Sequence, residues 1–366
     1  MVDHMSLPSD LHRLADYQRH AQACLPEDVW QHIQEGNGHD GVPDADRMAL
    51  DAISFVPRRL VDLRGGSTVI DLLGQRHASP ILLAPVAYQR LAHPEGEMAT
   101  IRAATAMGVS MVLSTLSSVT LEEVAQAGRE AARELGRSLR PHWFQLYLQP
   151  SREMSLSLVR RAEEAGYQSI VLTVDAAVKR AGFPLPPGVE AANLRGVAPA
   201  RQVTGHEAIL LGTPLAEQAP RWEDLAWLRA QTSLPLVIKG LVAPQDGRMA
   251  ADMGADAIIL SNHGGRVLDS MPAALDMLAP MRAAVGAAMP LLVDGGIRSG
   301  SDVVKALAMG AQGVLVGRPQ MHALAVGGLA GVAHMLHMLR AELELAMAQL
   351  GCPRVAAITG ECLMRP

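Results

Sequence analysis

LSNHGGRVLD, residues Leu260–Asp269, follows on the apolar run AIIL, Ala257–Leu260. A short apolar run bounded by polar residues and Gly fits a strand buried on both faces. The run ends in Ser261 and Asn262, and His263, Gly264, Gly265 and Arg266 come next. A titratable imidazole and a permanently charged guanidinium therefore sit at the carboxyl end of a buried strand. The paired glycines let the backbone between them turn sharply or approach a ligand closely. An imidazole exchanges protons near neutral pH. A guanidinium grips a carboxylate through two parallel hydrogen bonds. Together they point to a site that takes a proton from an anionic substrate. A solvated loop could carry the same residues, so the rest of the chain has to decide.

Outward from this stretch the same rhythm repeats. Buried-strand candidates are Ile81–Tyr88, Val109–Thr115, Trp143–Leu148, Ser169–Asp175, Pro235–Gly240, Ala257–Asn262, Leu291–Gly296 and Gly313–Arg318. Amphipathic stretches such as EGEMATIRAATAMG and SGSDVVKALAMG lie between most of them. About eight strand-helix units in roughly 250 residues predict an α/β fold, a (β/α)₈ TIM barrel. A doubly wound open sheet is the alternative, weakened by the lack of a Gly-rich dinucleotide fingerprint after the first strand. The chain reads as one barrel domain, 1–366, with an N-terminal extension of helices and short strands over 10–75. Within that extension, Asp10–Glu35 reads as helices, Gly36–Asp46 as a loop, and Ile53–Leu60 and Thr68–Leu73 as short strands. A long Pro- and Gly-rich connection, 176–223, would be a lid on the carboxyl face. A helix is expected in the tail after the last strand.

Composition narrows the classes. Of 366 residues, 49% are hydrophobic and 19% charged, enough for a substantial core. A net charge of -5 and 3% aromatics argue against a nucleic-acid partner. Cys24, Cys352 and Cys362 form neither a metal-type cluster nor a disulfide framework in sequence, so no metal site is expected and a cytoplasmic location is. No apolar stretch approaches the roughly 18 residues that span a bilayer.

In a barrel the carboxyl ends of the strands line the active site. Those ends supply Pro85, Val86 and Ala87, then Ser114, Gln145 with Tyr147, and Thr173 with Asp175. Lys239, Ser261 with His263 and Arg266, Asp294 with Arg298, and Gly317 with Arg318 complete the set. Lys239 and Asp175 are embedded in apolar runs and must be paired if buried. The last two strands lead into DGGIRSGSD and VLVGRP, Gly-rich turns with arginines ahead of helices. Barrels commonly bind phosphate at this place, which implies a phosphorylated ligand or cofactor.

With LAPVAYQRLAHPEGE, WFQLY, LTVD, LVIKG, SNHGGR, DGGIRSG and VGRP in order, the chain resembles the flavin mononucleotide (FMN)-dependent 2-hydroxy acid oxidase and dehydrogenase family. That family includes glycolate oxidase, lactate oxidase, mandelate dehydrogenase and hydroxymandelate oxidase. APVAYQRLAHPEGE with LSTLSSVTLEE is most similar to the hydroxymandelate oxidase branch. The resemblance implies FMN as cofactor and oxidation of an L-2-hydroxy acid to the 2-oxo acid. His263 would be the base, oriented by Asp175. Arg266 would bind the substrate carboxylate and Tyr147 its hydroxyl. Lys239 would stabilise the reduced flavin. Pro85, Val86, Ala87, Ser114, Gln145 and Thr173 would surround the ring. Ser261, Asp294, Gly296, Arg298, Gly317 and Arg318 would hold the ribityl chain and phosphate. The resemblance also implies a homotetramer with no membrane span, and leaves oxygen, a quinone or a partner protein open as electron acceptor.

Two departures bear on the substrate. His32 stands where the family usually has a substrate-binding Tyr, and Arg180 is the candidate to stand in for a second active-site arginine. Both changes, with a loop after Asp175 that lacks the family's Gly-Arg-Arg motif, predict a substrate larger than lactate. Alternatives are an enzyme like the type 2 isopentenyl diphosphate isomerase, or a flavin-binding protein without the usual turnover.

Overall fold

In the computed structural model, which describes residues 7–35, 44–176, 183–196, 211–217, 219–268 and 270–364, ten strands follow in chain order. They are β1 (Ile70–Leu72), β2 (Gln75–His77), β3 (Ile81–Leu83), β4 (Ser110–Ser114) and β5 (Trp143–Leu146), then β6 (Ile170–Thr173), β7 (Leu236–Leu241), β8 (Ala257–Ser261), β9 (Leu291–Asp294) and β10 (Gly313–Val316). Strands β3 to β10 pair in parallel, and β10 returns to β3, so the sheet closes into a barrel of eight. Closure confirms the (β/α)₈ expectation and removes the open-sheet alternative.

The strands read as unbroken apolar runs because both faces are covered. Leu82, Val112, Trp143, Val171, Val237, Ile259, Leu292 and Leu315 pack together inside the barrel. Their neighbours, such as Leu83, Leu113, Ile238 and Leu260, face the surrounding helices in a second cluster. A hairpin of β1 and β2 stoppers the amino end. Leu72 joins the interior cluster, and Trp143 Nε1 donates to Gln75 Oε1 at 2.9 Å.

Helices α1 (Leu14–Cys24), α2 (Glu27–Gln34) and α3 (Ala45–Asp51) precede the barrel. Around it run α4 (Glu97–Met107), α5 (Leu121–Glu134), α6 (Arg152–Ala165), α7 (Pro214–Glu217), α8 (Trp222–Gln231), α9 (Pro244–Asp252), α10 (Leu278–Val285), α11 (Gly300–Ala308) and α12 (Arg318–Leu350). Polar caps start several of them: Ser151 Oγ accepts from Met154 N at 3.1 Å and Ser299 Oγ from Asp302 N at 3.2 Å.

Some expectations need correction. Ile53–Leu60 is not a strand; Phe55 makes an isolated bridge to Leu363, flanked by Val56 N to Cys362 O at 2.8 Å and Met364 N to Ser54 O at 2.9 Å, and the pairing does not lengthen into a ladder. The loop expected to Asp46 ends sooner, because Asp44 caps α3 by accepting from Asp46 N and Arg47 N. Part of 176–223 lies outside the described residues, and its described part includes α7 and the start of α8. The tail helix begins at Arg318, immediately after the last strand, and Gly327 and Gly328 break its backbone. It is the one described helix long and apolar enough to cross a membrane. The expectation that no apolar stretch approaches a bilayer span does not hold here; in the fold the helix packs against α1, α4 and α11, and 56% of its most apolar stretch is buried. Cys352 and Cys362, ten residues apart, lie with their thiols 3.5 Å from each other, both buried and reduced.

The contact between α11 and α12 is close enough to test. A Cβ at Gly300 would stand 2.0 Å from Leu343 N. Gly300→Ala is expected to lower stability by about 1–3 kcal/mol, the usual cost of overpacking. An unchanged unfolding midpoint in denaturant would show that the two helices have slack there.

Candidate active site

Two residues beyond the apolar interior layer, every strand places its next inward residue at the carboxyl mouth. Those positions are Ala84, Ser114, Gln145, Thr173, Lys239, Ser261, Asp294 and Gly317. The registers set three pairs side by side: Ser114 with Gln145, Thr173 with Lys239, and Ser261 with Asp294. The apolar floor thus gives way to a polar ring in one step of the pleat.

Lys239 is buried and ion-paired, as expected, and its partner is Asp294. Its Nζ lies 2.7 Å from Asp294 Oδ2 and donates to Ser261 Oγ at 2.9 Å. Ser261 Oγ in turn donates to Asp294 Oδ2 at 3.0 Å. Burial would push the Lys239 ammonium down, but Asp294 and Asp175 hold its pKa above the ordinary value.

Asp175 lies against His263, the partner that the family motif implied. Its Oδ1 meets His263 Nδ1 at 2.8 Å. Burial would raise the Asp175 pKa, yet the His263 hydrogen bond and the Lys239 charge keep it below the usual value. His263 itself is pushed below its ordinary pKa, chiefly by burial and also by Lys239, with Asp175 opposing. At neutral pH the ring is neutral, with Nδ1 engaged and Nε2 left as the nitrogen for proton exchange. His263 has φ +58, and the turn through Gly264 and Gly265 is also left-handed. Asn262 secures it by accepting from Gly265 N at 3.2 Å.

Gly240 makes this arrangement possible and was read only as part of a motif. It has φ +101, and a Cβ there would lie 2.4 Å from Asp175 Cγ. The β7–β8 register shifts at this point, a bulge that seats the carboxylate. A Gly directly after an embedded Lys was the available signal.

Tyr147, Arg266, His32 and Lys239 line the same cavity of about 1190 Å³ as His263. Burial, with the Asp175 charge, pushes the Tyr147 phenol well above its ordinary pKa. His32 stacks on Phe183, with ring centroids 4.4 Å apart and planes 18° from parallel. Phe183 had not been singled out in sequence, because a lone aromatic in a Pro-rich loop carries no periodic signal. Arg266 turns toward the end of α2, where Nη1 donates to His32 O at 2.8 Å. Arg180 lies outside the described residues. Pro85, Val86, Ala87, Ser114, Thr173 and Gly296 line the cavity too, while Gln145, Asp175 and Ser261 stand behind its wall.

At the far end are Arg298 and Arg318. Burial and the neighbouring Arg318 push Arg298 down to about 10. Two buried like charges side by side call for an anion. Gly317 caps the start of α12 beside them, an amino-terminal helix end suited to phosphate. Buried polar atoms also lack partners among the described residues: Gln145 Nε2, Thr173 Oγ1 and Arg318 Nη1. Those donors, the arginine pair and the cavity's size fit a bound nucleotide-sized cofactor with room beside it. Small-molecule pockets commonly run to roughly 300–1,000 Å³.

Residues 21–365 match the FMN-dependent dehydrogenase family. This chain belongs to that family. It is 48% identical to an L-lactate oxidase of Alicycliphilus denitrificans, covering 98% of this chain and 97% of the relative. It is 46% identical to a 4-hydroxymandelate oxidase of Amycolatopsis orientalis, over 94% of this chain and 96% of the relative. Among solved structures, mandelate oxidase with (S)-4-hydroxymandelic acid superposes with a TM-score of 0.84 at 43% identity, covering 96% of this chain and 98% of that one. The chain is an FMN-dependent oxidoreductase, and the expected resemblance to 2-hydroxy acid oxidases and dehydrogenases holds. FMN supplies the acceptor for two electrons.

The electrostatics of the pair predict a titration. Asp175→Asn removes the charge that supports the imidazolium, so the His263 pKa should fall further. NMR titration of the His263 ring in both proteins checks this; an upward or absent shift would mean that Asp175 does not set the ring's charge.

Proposed function

We propose that this enzyme oxidises an L-2-hydroxy acid to the 2-oxo acid, with His263 as base. The observation that carries the reading is the 2.8 Å contact of Asp175 with His263 Nδ1 in a cavity that also holds Tyr147 and Arg266. Two electrons and two protons leave the CH–OH group. His263 takes one proton at Nε2, and Asp175 stabilises the imidazolium that results. Tyr147 hydrogen-bonds the substrate hydroxyl, and Arg266 attracts the carboxylate. Lys239 lends positive charge to the reduced cofactor. Pro85, Val86, Ala87, Ser114, Gln145 and Thr173 would surround the ring of FMN. Ser261, Asp294, Gly296, Arg298, Gly317 and Arg318 would hold its ribityl chain and phosphate.

The substrate is larger than lactate. The His32–Phe183 stack supports this by giving the mouth an aromatic wall, with Leu116 and Val86 adding apolar surface. The 43% identity to a mandelate oxidase with (S)-4-hydroxymandelic acid bound supports it too. A second reading, lactate itself, has the 48% identity to an L-lactate oxidase in its favour. Oxygen is the proposed acceptor, since these relatives are named oxidases. A homotetramer is proposed on family grounds, and a cytoplasmic location on the few, scattered cysteines of the sequence.

Anaerobic mixing with 2-hydroxy acids, followed by flavin bleaching, tests the function. Mandelate should reduce the flavin more efficiently than lactate by roughly ten- to a hundredfold, the worth of one buried apolar group. Lactate ahead by a clear margin would establish the second reading. His263→Gln should keep FMN and slow reduction by about 10²–10⁴-fold. Reduction at the wild-type rate would strip His263 of the base role. The rate should also decline as the pH drops below the ordinary imidazole range, because the depressed pKa keeps His263 neutral down to there.

A further inference from the structure

The guanidinium assigned to the substrate carboxylate is already in use. Arg266 Nη1 donates to the carbonyls of His32 at 2.8 Å, Glu35 at 3.3 Å and, at the limit of a hydrogen bond, Ile33 at 3.5 Å. These lie at the carboxyl end of α2, where orphan carbonyls and the negative end of the helix dipole gather. Arg266 Nη2 donates to a carboxylate, Glu35 Oε2, at 2.9 Å. The same oxygen is 3.8 Å from His32 Nδ1. An internal carboxylate thus faces the cation that the proposed function reserves for the substrate.

Among the described residues Arg266 Nε has no acceptor, so a substrate carboxylate can still reach the guanidinium, but only beside a like charge. The Glu35 side chain is 48% exposed and Arg266 18%. Glu35 can therefore swing into water, while Arg266 stays in the wall of the cavity. The cost of that displacement falls on substrates that bring a negative charge.

We propose that Glu35 is a specificity-determining residue whose carboxylate competes with that of the substrate for Arg266. It weakens the binding of free 2-hydroxy acids relative to uncharged 2-hydroxy esters of the same shape. This rests on the proposed role of Arg266 in binding a carboxylate. The carboxylate sits at the carboxyl cap of a short helix, three residues from His32, so both side chains act on one edge of the site.

The experiment compares Glu35→Gln with wild type in the FMN-loaded protein. KM for mandelate should fall by about two- to fivefold, in line with a half-exposed ion pair. KM for methyl mandelate should fall by clearly less. Calorimetric binding of benzoate, which needs no turnover, should tighten by a similar factor. An unchanged or weakened affinity for mandelate and benzoate would overturn the proposal and make Glu35 a support for Arg266. An equal gain for acid and ester would overturn it as well, since charge would then not be the cause. If the wild type is bleached by no 2-hydroxy acid, the functional reading fails. Tighter benzoate binding in Glu35→Gln would still uphold the competition in that case, and no benzoate binding by either protein would sink both.

Discussion

A buried ammonium constrains this site more than any other group. Lys239 is almost without solvent, and an uncompensated charge there would be prohibitively unfavourable. Asp294 meets it on β9 and Ser261 on β8, so three strands are tied at their carboxyl ends. Asp175, after β6, feels the same charge and stays ionised under it. That ionised carboxylate then holds His263. The base is therefore positioned by a relay that starts at Lys239, and the proton chemistry and the charge support for the cofactor cannot be tuned separately.

The extension before the barrel is part of the site's construction. Arg47 of α3 donates to Gly296 O at 2.6 Å and to Asp302 at 2.8 Å. Asp46 packs against Gly295 and Gly296 so closely that a Cβ on either glycine would collide with it. It also accepts from Ala274 N at 3.1 Å. The turn that leads to Arg298 is thus clamped from outside by a helix more than two hundred residues away in sequence. On the other side α2 sends His32 and Glu35 into the mouth.

Much of this was legible in the residues. The strands end in polar positions two residues past an apolar one, and that period carried Ser114, Gln145, Thr173, Lys239, Ser261 and Asp294 into the same ring. His263 and Asp175 were legible as partners only through the family motif, because nothing local links positions 88 residues apart. What stayed hidden depends on backbone detail or on distant contacts. The bulge at Gly240 is a matter of register, which pattern does not encode. The direction of Arg266 depends on where α2 ends, and the α2–Phe183 stack joins two segments with no shared pattern. Ile53–Leu60 looked like a strand from its apolar and β-branched residues, but its backbone bonds are split between 362–364 and Leu350, so no regular ladder forms beyond the bridge at Phe55.

The hairpin below the barrel has a consequence for traffic. With Leu72 driven into the interior layer and Trp143 locked to Gln75, the lower end is sealed by close-packed apolar side chains. Among the described residues that end offers no way in, which leaves the carboxyl mouth, where the cavity lies. Traffic is thereby turned toward one rim, and there the ring of His32 on α2 lies flat against that of Phe183, so the two segments form one sill rather than opposite posts.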